Sequence, residues 1–173
     1  MVKPILTKYF EDSKFNEIYT TSRKEFENLL SQIPYVGGNE NPLTESLINS
    51  AMIQPLLRKF EEEGLEFYEI GKLTYKLFEI FYEFIPPKDD IFTEESLNEK
   101  KESAKKSKLK KYPEDWVFDF IEGDGKTFTF GINYSECGVY KFYKSQEASH
   151  FMPIICLSDY AQARVYRYGL KRT

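Results

Sequence analysis

Two cysteines, a single histidine and one carboxylate at helical spacing mark where chemistry can sit in this chain. The segment Tyr134-Ser135-Glu136-Cys137-Gly138 passes from a strand pattern into a helical one. With Ser135 as the N-cap, Cys137 falls in the first helical turn, where unpaired N–H groups and the helix dipole favour a thiolate. Pro153 suits a first helical position, so Cys156 also falls in or next to a first turn, and Asp159, Tyr160, Ala163 and Arg167 follow it on one face. A thiol, a carboxylate and a phenol can therefore converge. His150, in the loop just before, is placed to act as a general base or acid. Cys137, Cys156, Asp159 and His150 are thus the candidate catalytic residues. Tyr134, Glu136, Tyr160, Arg167 and Arg172 are the candidates for substrate binding, with the arginines offering bidentate forks to a carboxylate.

Each of these residues has a plainer reading. Free cysteine is among the most buried residue types, a lone loop histidine is commonly a surface residue, and an aspartate inside a helix normally faces solvent. Arg164, Arg167 and Arg172 near a helix C-terminus also complement its dipole. Cys137, Cys156 and Asp159 are one ligand short of a metal site unless His150 joins, so no metal is expected. No HExxH, P-loop or GxGxxG occurs, and no cofactor is expected.

The elements that must position these residues follow from periodicity. Phe15, Ile18, Tyr19, Phe26, Leu29, Leu30 and Ile33 predict a first amphipathic helix that Pro34 ends. The loop Tyr35–Pro42 can hold a ligand or merely connect. Thr44 is expected to cap a second helix, with Leu43 and Ile48 as a hydrophobic staple and Ile48, Ala51, Met52, Leu56 and Phe60 as its buried stripe. Pro55 should kink that helix and Gly64 should end it. A third helix, from about Glu66 to Ile85, is apolar around most of its circumference, which makes it central in the core or covered by a second subunit. Pro86-Pro87 should stop it. From Asp89 to Lys111 seven lysines alternate with Glu and Ser and almost no apolar stripe survives; a solvated helix or linker is the preferred reading over an RNA or membrane patch.

Beyond Pro113 the period changes to two. Trp116–Ile121 and Thr127–Tyr134 predict a hairpin turned by Gly123-Asp124-Gly125, with its aromatics on one face. Two shorter helices should follow, over Glu136–Glu147 and Pro153–Tyr168. The expected fold is α+β: a helical N-terminal half packed on a small antiparallel sheet, with two further C-terminal helices, in one domain spanning 1–173.

Composition bounds the functions. The chain has 173 residues, 41% of them hydrophobic and 17% aromatic, ample for one core. A net charge of −4 argues against a general nucleic-acid binder. No apolar run is long enough to cross a bilayer, and Met1–Phe10 lacks the apolar stretch of a secretion signal, so a cytoplasmic location with free thiols is expected.

Several short motifs in order carry a resemblance: Ile33-Pro34-Tyr35-Val36-Gly37-Gly38, Asn41-Pro42-Leu43-Thr44, Cys137-Gly138, Cys156-Leu157-Ser158-Asp159-Tyr160 and Gly169-Leu170-Lys171-Arg172-Thr173. From about Pro34 onward, outside the lysine-rich stretch, the chain resembles the L-2-amino-thiazoline-4-carboxylate hydrolase family. The resemblance implies a cytoplasmic bacterial or archaeal protein whose relatives open a cyclic isothiourea ring on the route to cysteine. The family pattern continues past an Arg-Thr pair like Arg172-Thr173 into a hairpin with a terminal Cys-Asp-Phe motif. The 173-residue sequence stops before that hairpin.

On these residues two routes are open. Cys137 or Cys156 can attack the amidine-like carbon to give a thioimidate adduct that water resolves. Alternatively Asp159 activates the water, Tyr160 or His150 donates the proton, and Arg172 or Arg167 holds the substrate carboxylate. A hydrolase of this kind requires Cys137, Cys156 and Asp159 close together. A non-catalytic small-molecule binding or sensor domain would instead present an aromatic pocket from Phe118, Phe128, Phe130 and Tyr134. A third reading, an assembly module, rests on the apolar helix Phe67–Phe84 and a homo-oligomer that would cover it.

Overall fold

A computed structural model describes residues 9–85 and 91–172. The Pro86-Pro87 stop, the start of the lysine-rich stretch at Asp89 and nearly all of Met1–Phe10 lie outside the described residues. The fold is α+β, with a helical N-terminal half and one two-stranded antiparallel sheet.

Helix α1 spans Asp12–Leu29 and continues as a 3₁₀ turn over Leu30–Gln32 before Pro34. It lies along α2, Thr44–Glu62, and the pair is laced by Lys14 to Glu63 at 3.0 Å and Lys59 to Glu25 at 3.1 Å. The buried face of α2 is Leu47, Ala51, Gln54, Pro55, Leu57 and Phe60. Ile48 and Met52, expected inside, are exposed, because the helix turns Leu47 and Leu57 to the core instead. Thr44 is not the N-cap either. Helix α2 begins at Thr44 itself, whose Oγ1 donates to the Gly38 carbonyl at 2.8 Å, while Asn41 Oδ1 accepts from the Leu43 N–H at 2.9 Å. The helix runs on through Pro55 to a C-terminus closed by Gly64 at φ 82°, a left-handed angle suited to glycine, with the Leu65 N–H reaching the Phe60 carbonyl. The Tyr35–Pro42 loop spends its polar groups on connection: Asn41 Nδ2 donates to the Val36 carbonyl and to Asp115.

Helix α3, Phe67–Phe84, is the expected central helix. Ile70, Leu73, Thr74, Leu77 and Phe78 are buried, whereas Phe67, Tyr68 and Phe84 are exposed. The lysine-rich segment is a helix, α4, Glu94–Ser107, capped by Thr93, whose side chain accepts from the Ser96 N–H. It does not float in solvent; it lies on β1. Ser107 Oγ accepts from the Phe118 N–H at 3.1 Å, and the Lys100 and Lys101 ammoniums sit 5.5 Å from the Phe130 and Phe120 ring centres. Lys101 also pairs with Glu122, and Lys108, the residue after the helix, pairs with Asp119.

Strands β1, Val117–Glu122, and β2, Phe130–Glu136, pair antiparallel with Phe118 opposite Tyr134 and Phe120 opposite Ile132. The connection is longer than expected, from Gly123 to Thr129, because Asp124 accepts from the Lys126 and Thr127 N–H groups and from the Thr127 hydroxyl. These bonds hold its carboxyl far below the usual carboxylate range. The aromatics do share a face: Phe120 stacks on Phe130 at 5.8 Å, and Phe118 lies 5.4 Å from Tyr134.

Helix α5 covers Gly138–Ser145, a shorter segment than expected. The predicted single helix over Pro153–Tyr168 is two: α6, Met152–Ile155, and α7, Leu157–Tyr166, broken at Cys156. Helix α7 packs along α3, where Ala161 and Ala163 are buried and small enough for close approach. One cluster of buried apolar side chains joins Phe60, Leu57, Ile70, Leu73, Phe142, Tyr143, Phe151 and Ile154. Tyr143 is fully buried and its hydroxyl donates to the Ser50 carbonyl at 2.7 Å, which ties α5 to α2.

Candidate functional site

Three elements bring most of the predicted chemistry to one place. Strand β2 delivers Tyr134 just before Cys137, which is the N-cap residue of α5. Ser135, expected in that capping role, is still in the strand, and its hydroxyl donates across to the Val117 carbonyl at 3.1 Å. The chain can turn from β2 into α5 because Gly138 packs flat against Trp116. A Cβ there would stand 2.8 Å from the indole ring and 2.9 Å from the Glu114 carbonyl oxygen.

The second element is the break between α6 and α7. Cys156 occupies it, with its N–H bonded to the Met152 carbonyl, so Asp159 sits in the first turn of α7. The third is the tail after α7. Arg167 adopts φ 60°, a left-handed angle unusual for an arginine, and the Tyr168 N–H bonds to the Ala163 carbonyl. The chain thereby reverses over α7. Tyr168 donates to Gln162, and Arg172 Nη1 reaches the Cys156 carbonyl at 3.1 Å and Asp159 Oδ2 at 3.2 Å.

Asp159 is the electrostatic centre of this arrangement. Burial raises its carboxyl above the ordinary value, and Arg172 only partly offsets that. Burial, reinforced by the charges of Asp159 and Cys137, pushes the Tyr134 phenol up to about 12. The Tyr168 phenol is likewise pushed to about 12, first by burial and then by Asp159. Tyr82, from α3, is raised by burial and bonds to Ser158 Oγ at 2.7 Å. Arg172 is held protonated by the side chains of Cys156 and Asp159 against the effect of burial. Yet the Asp159 side chain is 59% accessible and Tyr134 48%. Asp159 and Tyr134 therefore stand at the surface, in a cluster contributed by β2, α7 and the tail, to which α3 is joined through the Tyr82–Ser158 bond.

The predicted residues therefore divide. Tyr134, Cys137, Cys156, Asp159 and Arg172 belong to this surface cluster, both cysteines are half-buried rather than sealed in the core, and Tyr160 is exposed on α7 one residue beyond Asp159. Glu136 is committed elsewhere, clamped by Lys110 and Lys141, which pull its carboxyl down to about 2. His150 lies on a 3₁₀ turn with Nε2 3.4 Å from Glu61 of α2 and its ring against Phe151. Arg167 shapes the tail through its backbone. Tyr82, Ser158 and Tyr168 belong to the site but were not singled out, since nothing in the local sequence couples them to Asp159.

A groove elsewhere differs in kind. It measures about 600 Å³ and runs beside α3 and the α6–α7 junction, lined mainly by Tyr9, Phe67, Tyr68, Tyr75, Pro153 and Leu157, with Lys72 and Lys76 among its lining. It is not the aromatic pocket expected from Phe118, Phe128, Phe130 and Tyr134, three of which spend their rings on other aromatics within the hairpin. Among the described residues no three His, Cys, Asp or Glu side chains gather closely enough to hold a metal ion, and no helix is long and apolar enough to cross a membrane. No family model matches the chain, and no curated protein or solved structure does.

Proposed function

We propose that the Asp159 cluster is the active site of a small-molecule hydrolase. Its substrate is L-2-amino-thiazoline-4-carboxylate or a related small cyclic amidine or isothiourea, in keeping with the sequence resemblance. The observation that carries the reading is the meeting of Asp159, Arg172, Tyr134 and Cys156 in one solvent-accessible cluster, where neighbouring protein raises the Asp159 carboxyl. Such a carboxylate is a stronger base than one in bulk water. Asp159 takes a proton from water as the water oxygen bonds to the carbon between ring nitrogen and sulfur. One ring bond at that carbon breaks and the departing atom accepts a proton, so the net change is the addition of one water. Arg172 spends donors on Asp159 and Cys156 and retains others of its five N–H groups for the substrate carboxylate. Tyr134, with its phenol held protonated, is the nearby proton donor. This arrangement favours water activation by Asp159 and gives the donor role to Tyr134 in place of His150.

The test is mass-spectrometric turnover of L-2-amino-thiazoline-4-carboxylate by the purified protein beside Asp159→Asn, Cys137→Ser and Cys156→Ser. Ring-opened product that is lost in Asp159→Asn and kept in both serine variants supports the reading. Loss in a serine variant with retention in Asp159→Asn moves the chemistry to the thiol route. No product from folded wild-type protein removes this substrate.

A further inference from the structure

The groove beside α3 shares no residue with the Asp159 cluster and presents a different chemistry. Its α3 side runs from Phe67 to Lys76, about 13 Å by the helical rise. Tyr68 is 75% exposed and Phe67 46%, so large apolar side chains stand open in the lining. Between them and the α6–α7 junction the helix carries only Gly71, where an added Cβ would meet Ile154 and Leu157 at 3.8 and 3.9 Å. Among the described residues no acidic side chain lines the groove, and its charged groups are Lys72 and Lys76. Lys76 is spent on Glu79 at 2.6 Å. Lys72 pairs with no carboxylate among the described residues, and its ammonium lies over the Tyr68 ring, 5.4 Å from the ring centre. One cation without an anionic partner is thus held against an apolar strip.

We infer that this groove binds an unbranched fatty carboxylate of medium chain length, with Lys72 taking the carboxylate and the chain lying along Tyr68, Tyr75, Pro153 and Leu157. The volume, about 600 Å³, falls within the range of small-molecule sites. The run of lining along α3 suits an extended chain better than a compact ring. A second copy docked groove to groove about a twofold axis would bring one Lys72 toward the other, whereas a carboxylate meets complementary charge. The site is independent of the hydrolase reading.

Decanoate, decanol and propionate serve as probes: decanol lacks the charge and propionate lacks the chain. Titration calorimetry on the full chain, with decanoate kept below its micelle concentration, reads the affinities. Saturable one-to-one decanoate binding is expected, with propionate weaker by about a hundredfold or more and decanol by about tenfold. Lys72→Met should bring decanoate down to the decanol level and leave decanol itself unchanged. Tyr68→Ala should weaken decanoate and decanol alike, by about three- to tenfold. Both replaced side chains are exposed, so both variants should fold as wild type does. Absence of saturable decanoate binding, or wild-type decanoate affinity in Lys72→Met, overturns the inference. A dimer in sedimentation velocity that Tyr68→Ala disperses, with decanoate unbound, gives the groove to a second copy and overturns it as well. Asp159→Asn should leave decanoate binding intact; its loss there would place the ligand in the Asp159 cluster and also overturn the inference.

Discussion

The Asp159 cluster and the groove beside α3 are built from similar residue types to opposite effect. Beside Tyr68 and Tyr75 the phenols stand on a mostly apolar groove. Beside Tyr82, Tyr134 and Tyr168 the phenols surround a carboxylate and a guanidinium, and their protonation is coupled to Asp159. Tyrosine content alone does not distinguish the two. What distinguishes them is whether a carboxylate and a guanidinium stand among the phenols.

The comparison breaks most sharply at Asp159. Asp159→Asn should lower turnover by about 10²- to 10⁴-fold, the range for loss of a general base, whereas Tyr68→Ala in the groove should leave turnover unchanged. The same carboxylate fixes the pH dependence. Its pKa in the folded chain lies above the ordinary 3.8, so the fold holds that proton more tightly than the unfolded chain does. The contribution to stability is therefore present below 3.8 and is lost as pH rises through the folded value. Ionised Asp159 is thus a net cost at neutral pH, and Asp159→Asn should not lower the melting temperature at pH 7, since the exposed Arg172 contact contributes little. In a turnover profile the acid limb should fall above the ordinary carboxylate value.

Under the groove the expected effect is on stability alone. Leu73, 1% exposed, supports the groove from within α3, and Leu73→Ala should destabilise by about 2–5 kcal/mol in a denaturant melt, with turnover per folded molecule retained. Smaller and opposite in sign is Gly71→Ala. A Cβ there meets only Ile154 and Leu157 side-chain carbons at 3.8 and 3.9 Å, and the backbone is helical, so the variant should gain about 0.5–1 kcal/mol without touching turnover.

Much of the fold was legible because periodicity speaks for long elements. The helices around Phe26, Phe60 and Leu77 and the hairpin with Phe118 and Phe120 facing Phe130 and Tyr134 follow from it directly. The failures are local. Ile48 and Met52 match a helical stripe as well as Leu47 and Leu57 do, and only the neighbours α1 and α3 decide which face is buried. Cys156 breaks a helix without proline or glycine at the break, so no residue type announces it. The lysine run between Glu94 and Ser107 looks solvated because its packing is carried by Ala104, Ser107 and two lysine ammoniums that lie over Phe120 and Phe130. For the site, the local spacing that linked Cys156 to Asp159 was informative. The contributions of Tyr82 and of Tyr168 through the reversal at Arg167 depend on tertiary placement, and a left-handed arginine has no sequence signal.

As the proposed base, Asp159 must carry a raised carboxyl that responds to a bound carboxylate-bearing substrate. Its side-chain carboxyl carbon, followed by NMR in protein labelled at aspartate and assigned with Asp159→Asn, reads this directly across a pH titration with and without L-2-amino-thiazoline-4-carboxylate. The account predicts a midpoint above the ordinary aspartate value that moves when the compound is added. An ordinary midpoint, unmoved by the compound, would contradict it.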